Sequence, residues 1–168
     1  MARVAWLFLL GLIACGESAE AKRPLARPAE EFRSPRIEDA LDQIAEKVQT
    51  RGFLSVEDHW RGFVVENTSS VHSVSLDEDQ CYVIVANGSE ELAELDLRIF
   101  AADGTELAAD VEGGRGAALH YCPPHPGTHY LSVRATEGNG LFSVRRYQGP
   151  AGIDIRLDDL RGRDREGR

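Results

Sequence analysis

Two spacings of apolar residues follow one another along the chain, first that of a helix and then that of strands. In residues 34–52, four aliphatic side chains recur at intervals of four, three and four residues, which places them on one face of a helix. These residues are Ile37, Leu41, Ile44 and Val48. Ser34 and Pro35 suit a first helical turn, and Gly52 suits the end. The pattern therefore predicts an amphipathic helix with one apolar stripe.

The apolar stripe of this helix has two interpretations. It packs on its own domain, which is the favoured one, or it docks on a partner helix or a second copy of the chain. The candidate partner-binding residues in the second case are the same four, Ile37, Leu41, Ile44 and Val48.

From residue 53 onward, apolar and polar residues alternate as they do in half-buried strands. Residues 95–100 and 131–136 show this alternation, whereas 82–86 is a continuous apolar run, typical of a central strand covered on both faces. Pairs of turn-forming residues separate the strand-length segments. These pairs are Asn87-Gly88, Asp103-Gly104, Gly113-Gly114, Pro126-Gly127 and Asn139-Gly140. The pattern predicts a mainly β domain over 53–148, an antiparallel sandwich preceded by one N-terminal amphipathic helix.

The N-terminus has the features of an export signal. Residues 4–12 form an apolar run, about half of the roughly 20 residues needed to cross a bilayer. The sequence Leu12-Ile13-Ala14-Cys15 that closes it resembles the cleavage site of bacterial lipoproteins. The resemblance implies a signal peptide over 1–14, a diacylglycerol thioether on Cys15 and a further acyl chain such as palmitate, which together hold a protein on a membrane. The alternative is an ordinary secretory signal followed by a chance cysteine.

The resemblance also indicates a location. Gly16 stands where Asp, in enterobacterial lipoproteins, favours retention at the inner membrane, so the outer membrane is expected rather than the inner one. Residues 15–33 are rich in charge, Ala and Pro and predict a disordered tether between the lipidated cysteine and the domain. Residues 149–168 lose the alternation and predict a charged, disordered tail.

The remaining cysteines form an even pair in a protein destined for an oxidising compartment. Cys81 and Cys122 are therefore expected to form one disulfide, which stabilises by about 4 kcal/mol in the loop-entropy model. Their separation lacks the close spacing of a zinc knuckle, which disfavours metal binding by this pair. The net charge of −9 disfavours nucleic acid as a partner, because phosphate backbones repel acidic proteins.

Three segments between residues 81 and 147 resemble the bacterial pre-peptidase C-terminal domain family. They are Leu95-Asp96-Leu97-Arg98-Ile99-Phe100, Asp103-Gly104-Thr105-Glu106-Leu107-Ala108 and Pro126-Gly127-Thr128-His129-Tyr130-Leu131-Ser132-Val133. Their order and spacing imply a jelly-roll-like antiparallel β-sandwich. Members of that family are usually non-catalytic appendages, so the resemblance implies a module that is not an enzyme. Some members bind calcium, but no ligand set of theirs can be matched here.

Catalytic motifs are missing from the sequence: it contains no nucleophile elbow, His-Glu-x-x-His helix, phosphate loop or Cys-x-x-Cys pair. No cofactor is expected.

His120, His125 and His129 would bind zinc or copper only if they converged, and solvated or edge-strand positions are favoured for them. The acidic residues at 77–79 and 90–94 predict solvated turns.

A stacking platform for sugars or peptides would draw on the aromatic residues, most of which we expect in the core. The aromatic candidates are Trp60, Phe63, Tyr82, Tyr121, Tyr130 and Tyr147.

The function expected from these features is that of a lipid-anchored envelope module, binding or structural, with an envelope protein or polysaccharide as its partner. One alternative is an accessory subunit of an envelope complex, docking through the helix at 34–52. The other, disfavoured, is a metal-dependent hydrolase that uses His120, His125 and His129.

Overall fold

A computed structural model describes residues 32–153 and 155–161 as one helix followed by eight strands. The elements are α1 (Pro35–Gln49), β1 (Leu54–Val64), β2 (Ser69–Leu76), β3 (Cys81–Gly88), β4 (Leu92–Ala101), β5 (Glu106–Asp110), β6 (Gly116–Tyr121), β7 (Gly127–Gly138), β8 (Gly140–Gly149) and a 3₁₀ turn (Leu157–Asp159). The predicted signal peptide, Cys15 and almost all of the predicted tether lie outside the described residues. No helix of the described part has both the length and the hydropathy needed to cross a membrane.

The strands form two antiparallel four-stranded sheets, which we name sheet I (β1-β8-β3-β6) and sheet II (β2-β7-β4-β5). Seven connections join the eight strands, and all but the β4–β5 hairpin cross from one sheet to the other. This strand order is that of a jelly roll, so the predicted fold class is confirmed.

The main core lies between the two sheets. Leu95, Leu97 and Ile99 of β4 point into it together with Leu131 and Val133 of β7, and all five side chains are buried. Apolar and polar residues alternate in the sequences of β4 and β7 because successive side chains of a strand point in opposite directions. One face of each strand is therefore buried and the other points outward.

Strand β3 is buried along its whole length, as its continuous apolar run predicts. Tyr82 and Ile84 face the inter-sheet core, whereas Val83 and Val85 face a second cluster beneath the helix. The strand is central in sheet I, paired to β8 on one side and β6 on the other. The strand therefore lies between the two cores of the molecule and contributes one face to each.

Helix α1 lies on the outer face of sheet I, where it contacts β3, β8 and β1. The whole apolar stripe is buried in the second cluster, with no side chain more than 3% exposed. The interpretation that the stripe packs on its own domain is confirmed. Docking of a partner through Ile37, Leu41, Ile44 and Val48 is contradicted, because these side chains already fill the space between helix and sheet.

The predicted disordered tail is wrong for residues 155–161. Ile155 and Leu160 are buried in the cluster beneath the helix, and Arg161 forms a buried hydrogen bond to Asp110. Gly149 also belongs to β8 rather than to the tail. Isolated apolar residues without a repeating period give no strand or helix signal, yet here two of them are buried together with the Arg161 contacts. Residues 162–168 lie outside the described part.

One predicted turn is confirmed and another is wrong. Asp103-Gly104 forms the β4–β5 hairpin, where Gly104 has φ +87° and Asp103 Oδ1 accepts a hydrogen bond from the Thr105 amide. Asn87-Gly88 instead forms the end of β3, paired to β8. Gly88 is needed there for space, since a Cβ would lie 2.7 Å from the Leu92 side chain.

Candidate functional site

The outer faces of the two sheets differ in their cover. Helix α1 packs on β3, β8 and β1, and the 3₁₀ turn packs on β6, so the helical cover within residues 32–153 and 155–161 lies on sheet I. The outer face of sheet II, which we name the open face, carries the outward-pointing residues of β2, β7, β4 and β5. It is the broad sheet surface that the described chain leaves to a ligand.

Tyr130 stands in the middle of the open face. It belongs to β7, and the strand register places it between Ser73 of β2 and Phe100 of β4. Its neighbour Leu131 points the other way into the core, whereas Tyr130 remains 37% exposed. A tyrosine in this position offers an apolar ring with a polar edge, the combination used to contact flat ligands.

The next row of the open face is polar and its charges are paired. Arg98 of β4 donates to Asp96 Oδ2 at 3.2 Å and to Glu106 Oε2 at 2.8 Å. The hydrogen bonds to Glu106 and then Asp96 raise the pKa of Arg98. Ser132 of β7 lies beside Arg98 in the register, and Val71 of β2 lies on the far side of Ser132. The face thus combines hydroxyls, apolar surface and guanidinium and carboxylate groups held in place by one another.

The aromatic residues considered in the sequence are distributed over the whole domain. Tyr82 and Tyr147 are fully buried. Trp60 is half-buried and stacks on His72 with 5.3 Å between ring centroids, and Tyr121 makes an edge contact to His129 at 5.7 Å. Phe63 and Tyr130 are the exposed members, and they lie in different sheets, so the six do not form one platform.

The three candidate histidines are not brought together. His120 lies on β6 in sheet I, His129 on β7 in sheet II, and His125 in the connection between them. His129 is buried, and its Nδ1 lies 3.1 Å from the Gly127 carbonyl oxygen. Because consecutive strands fall in different sheets here, closeness in sequence does not produce a shared site. Among the described residues, the metal-capable group is instead Cys81, His120 and Cys122.

The predicted disulfide between Cys81 and Cys122 is present and spans 41 residues of sequence. It joins β3 to the residue after β6, at the edge of sheet I. The Cys81 side chain is buried in the cluster beneath the helix, whereas the Cys122 side chain is exposed. His120 Nε2 lies 3.9 Å from Cys122 Sγ.

An ion-pair cluster beneath the helix was not predicted. Glu38 is buried between two arginines of sheet I, with Arg61 Nε at 2.7 Å from Oε1 and Arg145 Nη2 at 2.6 Å from Oε2. Burial raises the pKa of Glu38, but the hydrogen bonds from Arg61 and then Arg145 outweigh it and lower the pKa to about 2. Glu38 follows Ile37 of the stripe directly, and a carboxylate next to an apolar stripe was the signal available in the sequence.

Cavities line the helix along its length, and two of them lie at its ends. One of about 410 Å³ lies between the start of α1 and the β3–β4 turn, where exposed Arg36 and Glu90 pair across the rim. The other, of about 320 Å³, lies between the end of α1 and the C-terminal segment. The residues that line these two cavities include neither histidine nor cysteine, so neither cavity holds a nucleophile assisted by histidine.

Comparisons with known proteins give no family assignment. No family model matches the chain, and no curated protein matches it. Among solved structures, one similar chain is a periplasmic inhibitor of g-type lysozyme, PliG from Aeromonas hydrophila, at 12% identity and a TM-score of 0.44, covering 58% of this chain and 89% of that one. Another is the pre-peptidase C-terminal domain of a Bacillus anthracis collagenase, at 15% identity and a TM-score of 0.43, covering 53% and 87% respectively.

Proposed function

We propose that this chain is a non-catalytic binding module of the bacterial envelope, which presents the open face of sheet II to an uncharged polysaccharide. The observation that carries the proposal is the half-exposed Tyr130, flanked by Phe100 and Ser73, on the face that the helix leaves uncovered. Sheet II packs on sheet I through the main core, and sheet I is in turn covered by the helix and linked by the disulfide.

The chemistry of the open face favours an uncharged ligand. Arg98 is already paired with Asp96 and Glu106, and the three groups together carry one negative charge, so this row offers polarised hydrogen-bonding groups but no surplus positive charge for an anionic ligand. The net charge of −9 also repels anionic polymers. A sugar ring presents an apolar face and a rim of hydroxyls, which matches an aromatic ring surrounded by serines and paired charges.

The proposal includes attachment to a membrane through Cys15, with the outer membrane as the expected site. It is supported by the sequence Leu12-Ile13-Ala14-Cys15. Intact-mass spectrometry of membrane-extracted protein tests it. A mass for residues 15–168 plus acyl chains is expected, and an unacylated product would remove the anchor from the proposal while leaving the binding face to its own test.

The binding test uses the full chain and a chito-oligosaccharide, an uncharged β-linked polymer of N-acetylglucosamine, in isothermal titration. Tyr130→Ala is expected to weaken binding by at least tenfold. Phe63→Ala is the matched control, because Phe63 is an exposed aromatic residue on β1 in the other sheet. Thermal unfolding of each variant checks that the fold is retained.

Three results would overturn the polysaccharide proposal. The first is the absence of any heat of binding for the parent protein. The second is binding by Tyr130→Ala as tight as that of the parent, and the third is loss of binding in Phe63→Ala with binding retained in Tyr130→Ala. The last result would place the ligand on sheet I.

The alternative of an accessory subunit would need a surface other than the helix stripe, since the stripe is buried. The alternative of a metal-dependent hydrolase would need His120, His125 and His129 to converge, and among the described residues these three do not form a group of metal ligands.

A further inference from the structure

Three potential metal ligands meet at the edge of sheet I. The sulfur atoms of Cys81 and Cys122 and a ring nitrogen of His120 all lie within 4.8 Å of one another. The register explains how the fold collects them. Tyr82 pairs with Tyr121, which places Cys81 opposite Cys122, and His120 lies two residues before Cys122 on the same face. This proximity results from strand pairing, and the spacing of the three residues in the sequence does not reveal it.

The surroundings hold this group in place on one side and leave it accessible on the other. Phe53 is fully buried and makes an edge contact to the His120 ring, with centroids 6.0 Å apart. Cys81 is also fully buried. Cys122 is exposed and follows the last residue of β6, so its side chain has room to rotate.

We propose that the dithiol form of this protein binds one zinc ion through Cys81, Cys122 and His120. Two thiolates and one imidazole are a usual ligand set for Zn²⁺, and three protein ligands leave the fourth tetrahedral position to water. Ideal Zn–S and Zn–N distances require the sulfur and nitrogen ligands to be roughly 3.6 Å apart. The present distance of 3.9 Å between Cys122 Sγ and His120 Nε2 is close to that value.

The zinc form and the disulfide form exclude each other. Binding of Zn²⁺ to the dithiol releases two protons and transfers no electrons. Formation of the Cys81–Cys122 bond removes two electrons from the two thiolates and releases the zinc ion. The electrons pass to a disulfide oxidant, which takes up two protons from water and becomes two thiols. A newly exported chain carries both thiols until such an oxidant reaches it, so the metal site exists in the interval before oxidation.

The test uses Co²⁺ as a spectroscopic substitute for Zn²⁺, with the full chain carrying Cys15→Ser so that both remaining cysteines belong to the site. Under anaerobic conditions, the reduced protein is expected to bind one Co²⁺ with thiolate-to-cobalt charge-transfer absorption, and Zn²⁺ is expected to displace it. His120→Ala should weaken Co²⁺ binding by at least tenfold. His125→Ala is the matched control, since His125 lies in the neighbouring loop outside the group.

Circular dichroism of the reduced protein and of both variants is recorded with and without metal. The inference is supported if the reduced chain is folded, binds one ion and depends on His120. It is overturned if no charge-transfer band forms, if His120→Ala binds as tightly as the parent, or if binding occurs only in an unfolded chain. The circular dichroism spectrum of the oxidised His120→Ala variant, compared with that of the oxidised parent, shows whether this variant still folds.

Discussion

Arg145 donates a hydrogen bond from Nη2 to Oε2 of Glu38 at 2.6 Å, and both side chains are buried between the helix and sheet I. Glu38 belongs to α1 and Arg145 to β8, which are 107 residues apart in sequence. Burial lowers the pKa of Arg145, but the hydrogen bonds to Glu38 and Asp42 outweigh it and raise the pKa. The pair therefore fixes the position of the helix on the sheet in its charged form.

Removal of the Glu38 charge is expected to destabilise the domain. Glu38→Gln keeps the shape of the side chain but leaves Arg145 and Arg61 without their buried counter-charge, at a cost of about 3 kcal/mol in the free energy of unfolding. Asp42→Asn is the control. Asp42 also pairs with Arg145, but its side chain is 67% exposed, so we expect a loss below about 1 kcal/mol. Urea unfolding measures both, and equal losses would contradict the prediction.

Acid should weaken the same contact over a defined range of pH. The pKa of Glu38 is about 2 in the folded protein against an ordinary value of 4.5, so the folded state binds fewer protons than the unfolded state between these values. Stability from Glu38, about 3 kcal/mol, is present above pH 4.5 and is lost as the pH falls to about 2. Urea unfolding from pH 6 to 2 should show the stability difference between parent and Glu38→Gln shrinking over this range. A constant difference would refute it.

The buried stripe predicts a stability defect rather than a binding defect. Leu41 is fully buried beneath the helix, and Leu41→Ala should lower the free energy of unfolding by about 2 to 5 kcal/mol through the lost contacts and the cavity left behind. Gln43→Ala, on the exposed side of the same helix, should change it by less than about 0.5 kcal/mol. Thermal and urea unfolding distinguish the two. An undestabilised Leu41→Ala would mean that the helix is not packed as described.

The length of the loop that the disulfide closes predicts how much the bond contributes to the free energy of unfolding. With a sequence separation of 41 between the cysteines, the double variant Cys81→Ala/Cys122→Ala should be about 4 kcal/mol less stable than the oxidised protein. Urea unfolding of both forms measures the difference. A difference below about 1 kcal/mol would show that the unfolded chain gains little freedom when the bond is absent.

Arg161 is predicted to hold the C-terminal segment on the domain. Its Nε donates to Oδ2 of buried Asp110 at 2.7 Å, and Arg161→Ala should cost roughly 2 kcal/mol by removing charged hydrogen bonds. Hydrogen exchange at residues 155–160 should become faster, while that of β3 should change little. Arg156→Ala tests an exposed arginine of the same segment. Unchanged exchange in Arg161→Ala would show that Ile155 and Leu160 suffice to dock it.

The helix, the alternating strands and the two-sheet architecture could be predicted because each leaves a period in the sequence. The cysteine pairing also followed from counting. The open face could not be predicted, since alternation shows that Tyr130 and Leu131 point in opposite directions but not which of the two sheets the helix covers. The Cys81–His120–Cys122 group and the Glu38 cluster depend on long-range strand pairing, which local patterns do not encode.

Both described ends of the chain are on the same side of the sandwich. Helix α1 begins at Pro35 on sheet I, and the segment that ends at Arg161 packs against β6 of that sheet and beneath the helix. A biotin, a surface linkage or a fused protein attached at either end therefore joins the molecule behind sheet I. The face that carries Tyr130 points away from such an attachment, so a linkage made at these two described ends leaves that face clear.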